Sequence, residues 1–175
     1  MRESNKLVLL YTERFGLIYG TLQSIRELKS KMKFHTQTLS LVDVDIIQGR
    51  DIWRIVGIHE REPSLGFVGT PFYPFMNNIA DLLLRMLQGE ESHTEIWDDL
   101  LFLYTTAKDT LTESDYQALE IIVVVRLLYY LGYWNGDTEC IEPNNFLTTE
   151  LFNTVLNNRK KYIQSINQGI KDSQL

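Results

Sequence analysis

The sequence contains one cysteine, Cys140, and three histidines among its 175 residues. A single cysteine excludes an internal disulfide framework and a cysteine-rich zinc site, and it is typical of proteins from a reducing cytosol. The histidines, His35, His59 and His93, lack the spacings that place two imidazoles on one metal ion. We therefore expect no metal and no cofactor, and Cys140 has no neighbouring histidine that would suggest a nucleophile.

Membrane and catalytic motifs are missing as well. The longest apolar stretch, 121–133, is interrupted by Arg126 and is shorter than a membrane span, and the N-terminus does not resemble a signal peptide. There is no nucleophile elbow, zinc-protease motif, phosphate loop or dinucleotide fingerprint. The acidic pairs 90–91 and 98–99 lie near predicted helix starts, where we interpret them as solvated helix ends. These absences favour a soluble protein that is not an enzyme.

Charge is distributed unevenly along the chain. The net charge at pH 7 is −6, from 17 Lys and Arg against 23 Asp and Glu. Residues 1–62 carry 10 cations and 8 anions, about +2, whereas residues 63–175 carry 7 and 15, about −8. This distribution fits a protein that binds DNA through its first third and other proteins through the rest. An ordinary acidic protein can have it too.

Residues 1–62 predict a small antiparallel β-barrel. Strand patterns cover 7–11, 17–23, 35–48 and 52–58. In the third pattern the apolar positions change phase between Leu41 and Val42, which is typical of a β-bulge that bends a barrel strand. Pro and Gly then mark residues 63–71 as a linker.

Residues 72–175 predict an all-α domain, so the expected fold class is α+β. Apolar residues recur at helical spacing in four segments, which begin near Phe72, Ser92, Thr112 and Thr148. Ser92 with Glu95 and Thr112 with Asp115 have capping-box spacing. Residues 119–131 are apolar nearly all round, which favours the buried central helix of a bundle over a strand.

A basic segment lies between two of the predicted strands. Its four cations fall within eight residues and are Arg26, Lys29, Lys31 and Lys33. With Arg50 and Arg54 of the next hairpin they could form a basic strip beside Phe34 and Trp53. Small barrels bind single strands in this way, by phosphate neutralisation and base stacking. An ordinary solvated loop has the same composition, and Trp53 is more typical of a core than of a stacking platform.

Several segments, taken in order, resemble the RecO family of DNA repair proteins. Residues 5–16 resemble a strand that ends in a Thr/Glu/Gly turn, and residues 24–33 resemble the family's basic segment. Residues 49–54 resemble its G-[KR]-x-x-W-R hairpin, and residues 126–133 its L-x-x-L-G-Y helix end. The resemblance covers nearly the whole chain, and the order and spacing of these segments are more specific than any one of them.

The resemblance implies a bacterial, cytoplasmic, nucleoid-associated recombination mediator with an OB-fold barrel (1–62) followed by a helical domain (72–175). It implies binding of single- and double-stranded DNA, strand annealing, and loading of recombinase onto coated single strands. The implied partners are RecR and the acidic C-terminal tail of single-stranded DNA-binding protein. By position, the implied DNA-binding residues are Arg26, Lys29, Lys31, Lys33, Arg50 and Arg54. Arg126 is an implied partner contact, with a buried ion pair to a helix carboxylate as the alternative.

The sequence departs from the family pattern in two places. Many members carry a four-cysteine zinc module after the L-G-Y element, where this chain has only Cys140, so we expect no zinc. The usual first barrel strand has no counterpart, because Met1 falls where the family enters its next strand. Either the start lies upstream, or the barrel is incomplete and has an open edge. The alternative function is a protein-interaction adaptor that has lost DNA binding and tethers repair partners through its acidic helical half.

Overall fold

Four strands precede five α-helices in the part of the chain that the computed structural model describes, residues 6–22, 38–50, 52–62, 67–87, 89–107, 111–142 and 146–173. The strands are β1 (Lys6–Thr12), β2 (Gly16–Leu22), β3 (Leu41–Ile47) and β4 (Trp53–Glu62). The helices are α1 (Phe72–Met86), α2 (Thr94–Phe102), α3 (Glu113–Tyr130), α4 (Thr149–Asn157) and α5 (Arg159–Asp172). A π-helical segment, Leu103–Ala107, continues α2. The predicted α+β class is confirmed.

The strands form one mixed sheet in the order β1-β2-β4-β3. β1 is antiparallel to β2 and β3 is antiparallel to β4, so each pair is a local hairpin. β2 and β4 are parallel, with Gly20 beside Trp53 and Leu22 beside Ile55. The prediction of a purely antiparallel sheet is therefore wrong at the central pairing, where the two hairpins meet through strands that run in the same direction.

β3 contains the irregularity that the sequence predicted. Its register against β4 shifts between Leu41 and Val42, and again between Asp45 and Ile46. The strand is shorter than the predicted 35–48, because Leu39 adopts a left-handed backbone (φ 65°) in the turn before it, and such a residue cannot continue an extended strand. Residues 35–37 lie outside the described residues.

One face of the sheet is apolar and buried. Leu22, Ile55 and Ile58 are almost fully buried at its centre, and partly buried residues of the edge strands pack against them, namely Val8, Leu10, Val42, Val44 and Ile46. Side chains alternate between the faces of a strand, so the intervening residues form the opposite face. The β1–β2 turn is closed by Thr12, whose hydroxyl accepts the Phe15 N–H and donates to the Gly16 carbonyl.

α3 is the buried central helix, as its all-round apolar sequence predicts. Ten of its eighteen residues are buried, from Tyr116 to Leu128. The predicted capping box at its start is confirmed, because the Thr112 hydroxyl accepts the Asp115 N–H and the Asp115 carboxylate accepts the Thr112 N–H. At its end the Tyr133 N–H donates to the Leu128 carbonyl. Among the described helices, none combines the length and the hydropathy of a transmembrane span.

Two predicted helix boundaries are wrong. The N-cap of α2 is His93, which makes no side-chain cap hydrogen bond, so the Ser92–Glu95 capping box does not form. The last predicted helix is two helices, because Asn158 leaves the helical conformation (φ −104°, ψ 16°) between α4 and α5. Thr148 does cap α4, since its hydroxyl accepts the Leu151 N–H.

The chain divides into two compact units. One comprises Met1–Gly69 with Leu87–Ser92, and the other comprises Thr70–Met86 with His93–Leu175. We call them the strand unit and the helical unit. The predicted division into 1–62, 63–71 and 72–175 stays a prediction. The structure adds one feature to this division: the short segment after α1, Leu87–Ser92, belongs to the strand unit.

Gly16 of β2 lies where that returning segment meets the strands. Its φ is +62°, and a Cβ there would overlap the carbonyl oxygen of Glu91. Gly89 has a similar φ of +80°, but a Cβ there would meet no atom within 4 Å.

We expect Gly89→Ala to cost about 1–2 kcal/mol from backbone strain alone. Gly16→Ala must also displace backbone, and we expect it to cost at least about 2 kcal/mol more. Urea denaturation followed by circular dichroism measures both, and equal losses would contradict the close approach.

Candidate functional site

The solvent-facing side of the sheet, which we call the outer face, brings residues from all four strands together. It includes Leu7, Leu9, Tyr19, Thr21, Ile47 and Arg54, and the alternation along β3 and β4 places Asp43, Asp45 and His59 on the same side. Cross-strand pairing places Leu9 opposite Tyr19 and Leu7 opposite Thr21. Thr21 lies beside Arg54, and Arg54 lies opposite Ile47. The outer face therefore carries a continuous row from one sheet edge to the other.

The outer face combines exposed apolar side chains with charged ones, since Asp43, Asp45 and Arg54 are also exposed. Leu7 is 56% exposed, Tyr19 54% and Ile47 57%. On the opposite side of the same strands, Ile18, Leu22 and Ile55 are 1–4% exposed. An exposed aromatic ring and a cation on the same face of a sheet suit a single-stranded nucleic acid, because the ring stacks on a base and the cation neutralises a phosphate.

Two of the six predicted DNA-binding residues lie in the described part of the chain. Arg50 is exposed in the β3–β4 turn, and Arg54 is exposed on the outer face. Neither forms an ion pair with another residue that the structure describes. The other four, Arg26, Lys29, Lys31 and Lys33, lie outside the described residues, as does Phe34.

Trp53 is held within the strand unit. Its indole ring contacts the Phe15 ring at a centroid distance of 4.7 Å. Its Nε1–H donates to the Glu90 carboxylate at 2.8 Å. An indole whose edge is fixed in this way is a packing residue, which agrees with its interpretation as core. Tyr19, which the sequence analysis did not select, is the exposed ring of the sheet.

Arg126 lies on α3 in the helical unit and is 6% exposed. Its Nε and Nη2 donate to the two Asp99 oxygens at 2.7 and 2.8 Å, a bidentate pair with α2. Nη1 donates to the carbonyls of Cys140 and Ile141 at 3.1 and 2.9 Å. Nη2 also donates to the Tyr130 hydroxyl at 2.6 Å, so all five N–H groups are engaged. Arg126 thus forms the buried ion pair that was the alternative to a partner contact.

The surroundings of this guanidinium perturb two acidic groups. Burial raises the pKa of the Asp99 carboxyl, and the Arg126 guanidinium opposes that rise by stabilising the carboxylate. Burial, reinforced by the Asp99 charge, raises the pKa of Tyr130 to about 12, so this phenol stays protonated at neutral pH. The guanidinium also lies over the Phe146 ring, 4.7 Å from its centroid. All N–H donors of the guanidinium thus have partners within the chain, and we interpret the arrangement as structural.

Asp99 corrects the interpretation of the acidic pairs as solvated helix ends. Its side chain is only 13% exposed, whereas Asp98 is exposed. Asp99 lies three residues after Ile96 and four before Leu103, both of which are buried. That spacing puts it on the buried face of α2, and an acidic residue on an apolar helical face is the signal that predicts a buried cation as partner.

Cys140 is fully buried, and burial raises the pKa of its thiol. A buried thiol with a raised pKa is a poor nucleophile, so the structure gives it a packing role. Within the described residues no group of three His, Cys, Asp or Glu side chains could hold a metal ion.

Sequence comparison finds a similarity to a DNA repair protein. The chain is 24% identical over 168 residues to the DNA repair protein RecO of Clostridium novyi (strain NT). It is similar to a RecO protein. The alignment covers 91% of this chain and 64% of that protein, so the chain spans less than two thirds of its relative's length. No family model matches the sequence. The comparison supports a RecO-like relationship along nearly the whole chain.

The Asp99–Arg126 pair makes a direct prediction about stability. Asp99→Asn leaves a buried guanidinium without its counter-ion, and removing one partner of a buried pair typically costs about 3–5 kcal/mol. Asp98→Asn, one residue away and exposed, should change stability by no more than about 0.5 kcal/mol. Chemical denaturation of the two variants measures the difference, and similar stabilities would show that Asp99 is not the anchor of Arg126.

Proposed function

We propose that this protein is a non-catalytic mediator of DNA repair and homologous recombination. The observation that carries the proposal is the RecO-like alignment along 91% of the chain. In this role the protein binds single- and double-stranded DNA, promotes annealing and helps to load recombinase onto coated single strands. Its partners are RecR and the acidic tail of single-stranded DNA-binding protein, in the bacterial cytoplasm at the nucleoid.

We propose further that β1 to β4 of the strand unit are the second to fifth strands of an OB-type barrel. An OB barrel has five strands in Greek-key order, and its third and fifth strands are parallel neighbours. If β1 to β4 correspond to strands two to five, the expected order is β1-β2-β4-β3 with β2 parallel to β4. The observed sheet has this order and this single parallel pairing, which supports the assignment.

The outer face is the proposed place for a single strand. Tyr19 offers an exposed ring for stacking, and Arg54 and Arg50 offer exposed guanidinium groups. The basic segment, with Arg26, Lys29, Lys31 and Lys33, follows β2 directly in sequence and supplies the remaining phosphate contacts in this proposal. The acidic helical unit is the proposed site of protein partners.

The DNA proposal is tested by fluorescence anisotropy with a labelled single strand across a salt series. With about four phosphates neutralised, the logarithm of the binding constant should fall with the logarithm of salt concentration at a slope of about −3. Changing Lys29, Lys31 and Lys33 together to Glu should weaken binding and flatten this slope. Tyr19→Ala should weaken binding about 5- to 100-fold and leave the slope unchanged, since stacking releases no counter-ion.

Arg159→Glu with Lys160→Glu is the matched control, because both are exposed cations on α5 of the helical unit. This double variant should bind DNA as the parent protein does. If the folded parent protein binds no DNA at low salt, the mediator proposal fails. The protein is then an adaptor that tethers repair partners, and retained capture of RecR would support that alternative.

A further inference from the structure

Charge divides the outer face into two parts. The uncharged part lies on β1 and β2 and includes Leu7, Leu9, Tyr19 and Thr21. Arg54, at the start of β4, adjoins this part because it pairs with Thr21. The charged part lies on β3 and the second half of β4 and includes Asp43, Asp45, His59 and Arg61. A polyanion on the outer face therefore meets two different surfaces.

The Asp45 carboxylate reaches from the edge strand β3 across to β4. The β4 partner of Asp45 is Gly57, and a Cβ at Gly57 would overlap the carboxylate. The carboxylate thus lies above β4, which is an inner strand of the sheet, and its Oδ2 is 3.9 Å from the Nε2 of His59. This position puts a negative charge on the face between Arg54 and Arg61, as they follow one another along β4.

Asp43 is paired with the other cation of the charged part. Its Oδ1 is 3.9 Å from the Nη1 of Arg61. The four side chains of the two ion pairs are 50–76% exposed, and exposed pairs contribute little to stability. With histidine counted as neutral, Asp43, Asp45 and Arg61 sum to a charge of −1. A phosphate that approached Arg61 would also approach the Asp43 carboxylate.

We propose that Asp43 and Asp45 exclude phosphates from the charged part and so confine a bound single strand to the uncharged part and Arg54. This inference rests on the proposed DNA-binding function and adds the path of the strand to it. In water, two unit charges about 4 Å apart change an equilibrium constant by about fivefold. Two carboxylates beside one guanidinium therefore give a phosphate net repulsion, and Arg61 becomes a phosphate contact only when they are neutralised.

Asp43→Asn with Asp45→Asn, in the full chain, tests the proposal. Fluorescence anisotropy is measured at about 0.15 M salt and across a salt series, with a labelled single strand of about 20 nucleotides, which is longer than an OB fold covers. The double variant should bind about 5- to 10-fold more tightly than the parent protein. Its salt slope should be steeper by about 0.7, because Arg61 then contacts one further phosphate.

Asp81→Asn with Asp98→Asn is the matched control. It makes the same chemical change at two exposed carboxylates of the helical unit. Its affinity for the strand should stay within about twofold of the parent's, because screening at this salt removes the effect of distant charges. Urea denaturation of both double variants should match the parent protein, since the carboxylates that they lose are exposed.

Arg61→Gln separates a phosphate contact from a general charge effect. In the parent protein it should change affinity by no more than about twofold, because the strand does not reach Arg61. In the Asp43→Asn/Asp45→Asn background it should abolish most of the 5- to 10-fold gain, as expected for one lost ion contact. If Arg61→Gln weakens the parent by as much as it weakens the double variant, the strand already lies on the charged part and the proposal is wrong.

The outcomes for this inference and for the DNA-binding function are distinct. A parent protein that binds DNA, with a double variant that binds no more tightly, would overturn the confinement of the strand alone. A double variant that binds when the parent does not would support the exclusion by Asp43 and Asp45 and contradict DNA binding by the parent. If neither protein binds at low salt, both proposals fail.

Discussion

The helical unit depends on the hydrogen bonds and the ion pair of the buried Arg126 guanidinium. A cation taken out of water loses several kcal/mol of hydration, and only near-ideal partners compensate for that loss. Arg126 finds them on three separate parts of the chain: the Asp99 carboxylate on α2, the Tyr130 hydroxyl on α3, and the carbonyls of Cys140 and Ile141. Each donor direction of the planar group is fixed, so α2 and the 140–141 turn are held in place relative to α3. A lysine has three donors on a flexible chain and could not hold the same arrangement.

In the strand unit the corresponding constraint is the parallel pairing of β2 with β4. Without it, the structure would be two separate hairpins, and an isolated two-stranded hairpin is marginally stable in water. The close approach at Gly20, where a Cβ would meet the Ile55 side chain, shows how tightly the two strands are packed. The pairing also creates the outer face, because it places Arg54 of the second hairpin beside Thr21 of the first. The proposed binding surface is therefore a product of tertiary pairing.

The sequence predicted what local interactions determine. The Thr112–Asp115 capping box and the irregularity at Leu41/Val42 depend on residues that are close in sequence, and both are present. Non-local features escaped prediction. The parallel strand pairing joins residues more than thirty positions apart, and Asp99 meets Arg126 only when two helices pack. The break at Asn158 also escaped prediction, because the helical spacing of apolar residues continues from α4 into α5. For the candidate site, the six cations could be selected from the sequence. Selecting Tyr19 required knowing which face of β2 its side chain lies on and how exposed that side chain is.

The net charge of −6 must be reconciled with the proposed DNA-binding surface. At physiological salt the Debye length is about 8 Å, so an exposed carboxylate well beyond that distance hardly affects a bound phosphate. Affinity is then set by the cations that touch the strand, and residues 1–62 carry an excess of about two. At 0.01 M salt the Debye length grows to about 30 Å, so the net negative charge of the whole chain begins to repel a bound strand. Binding should therefore stop strengthening at the lowest salt, so the logarithmic plot should bend there. A strongly basic protein would show no such bend, because lowering the salt would only extend its attraction.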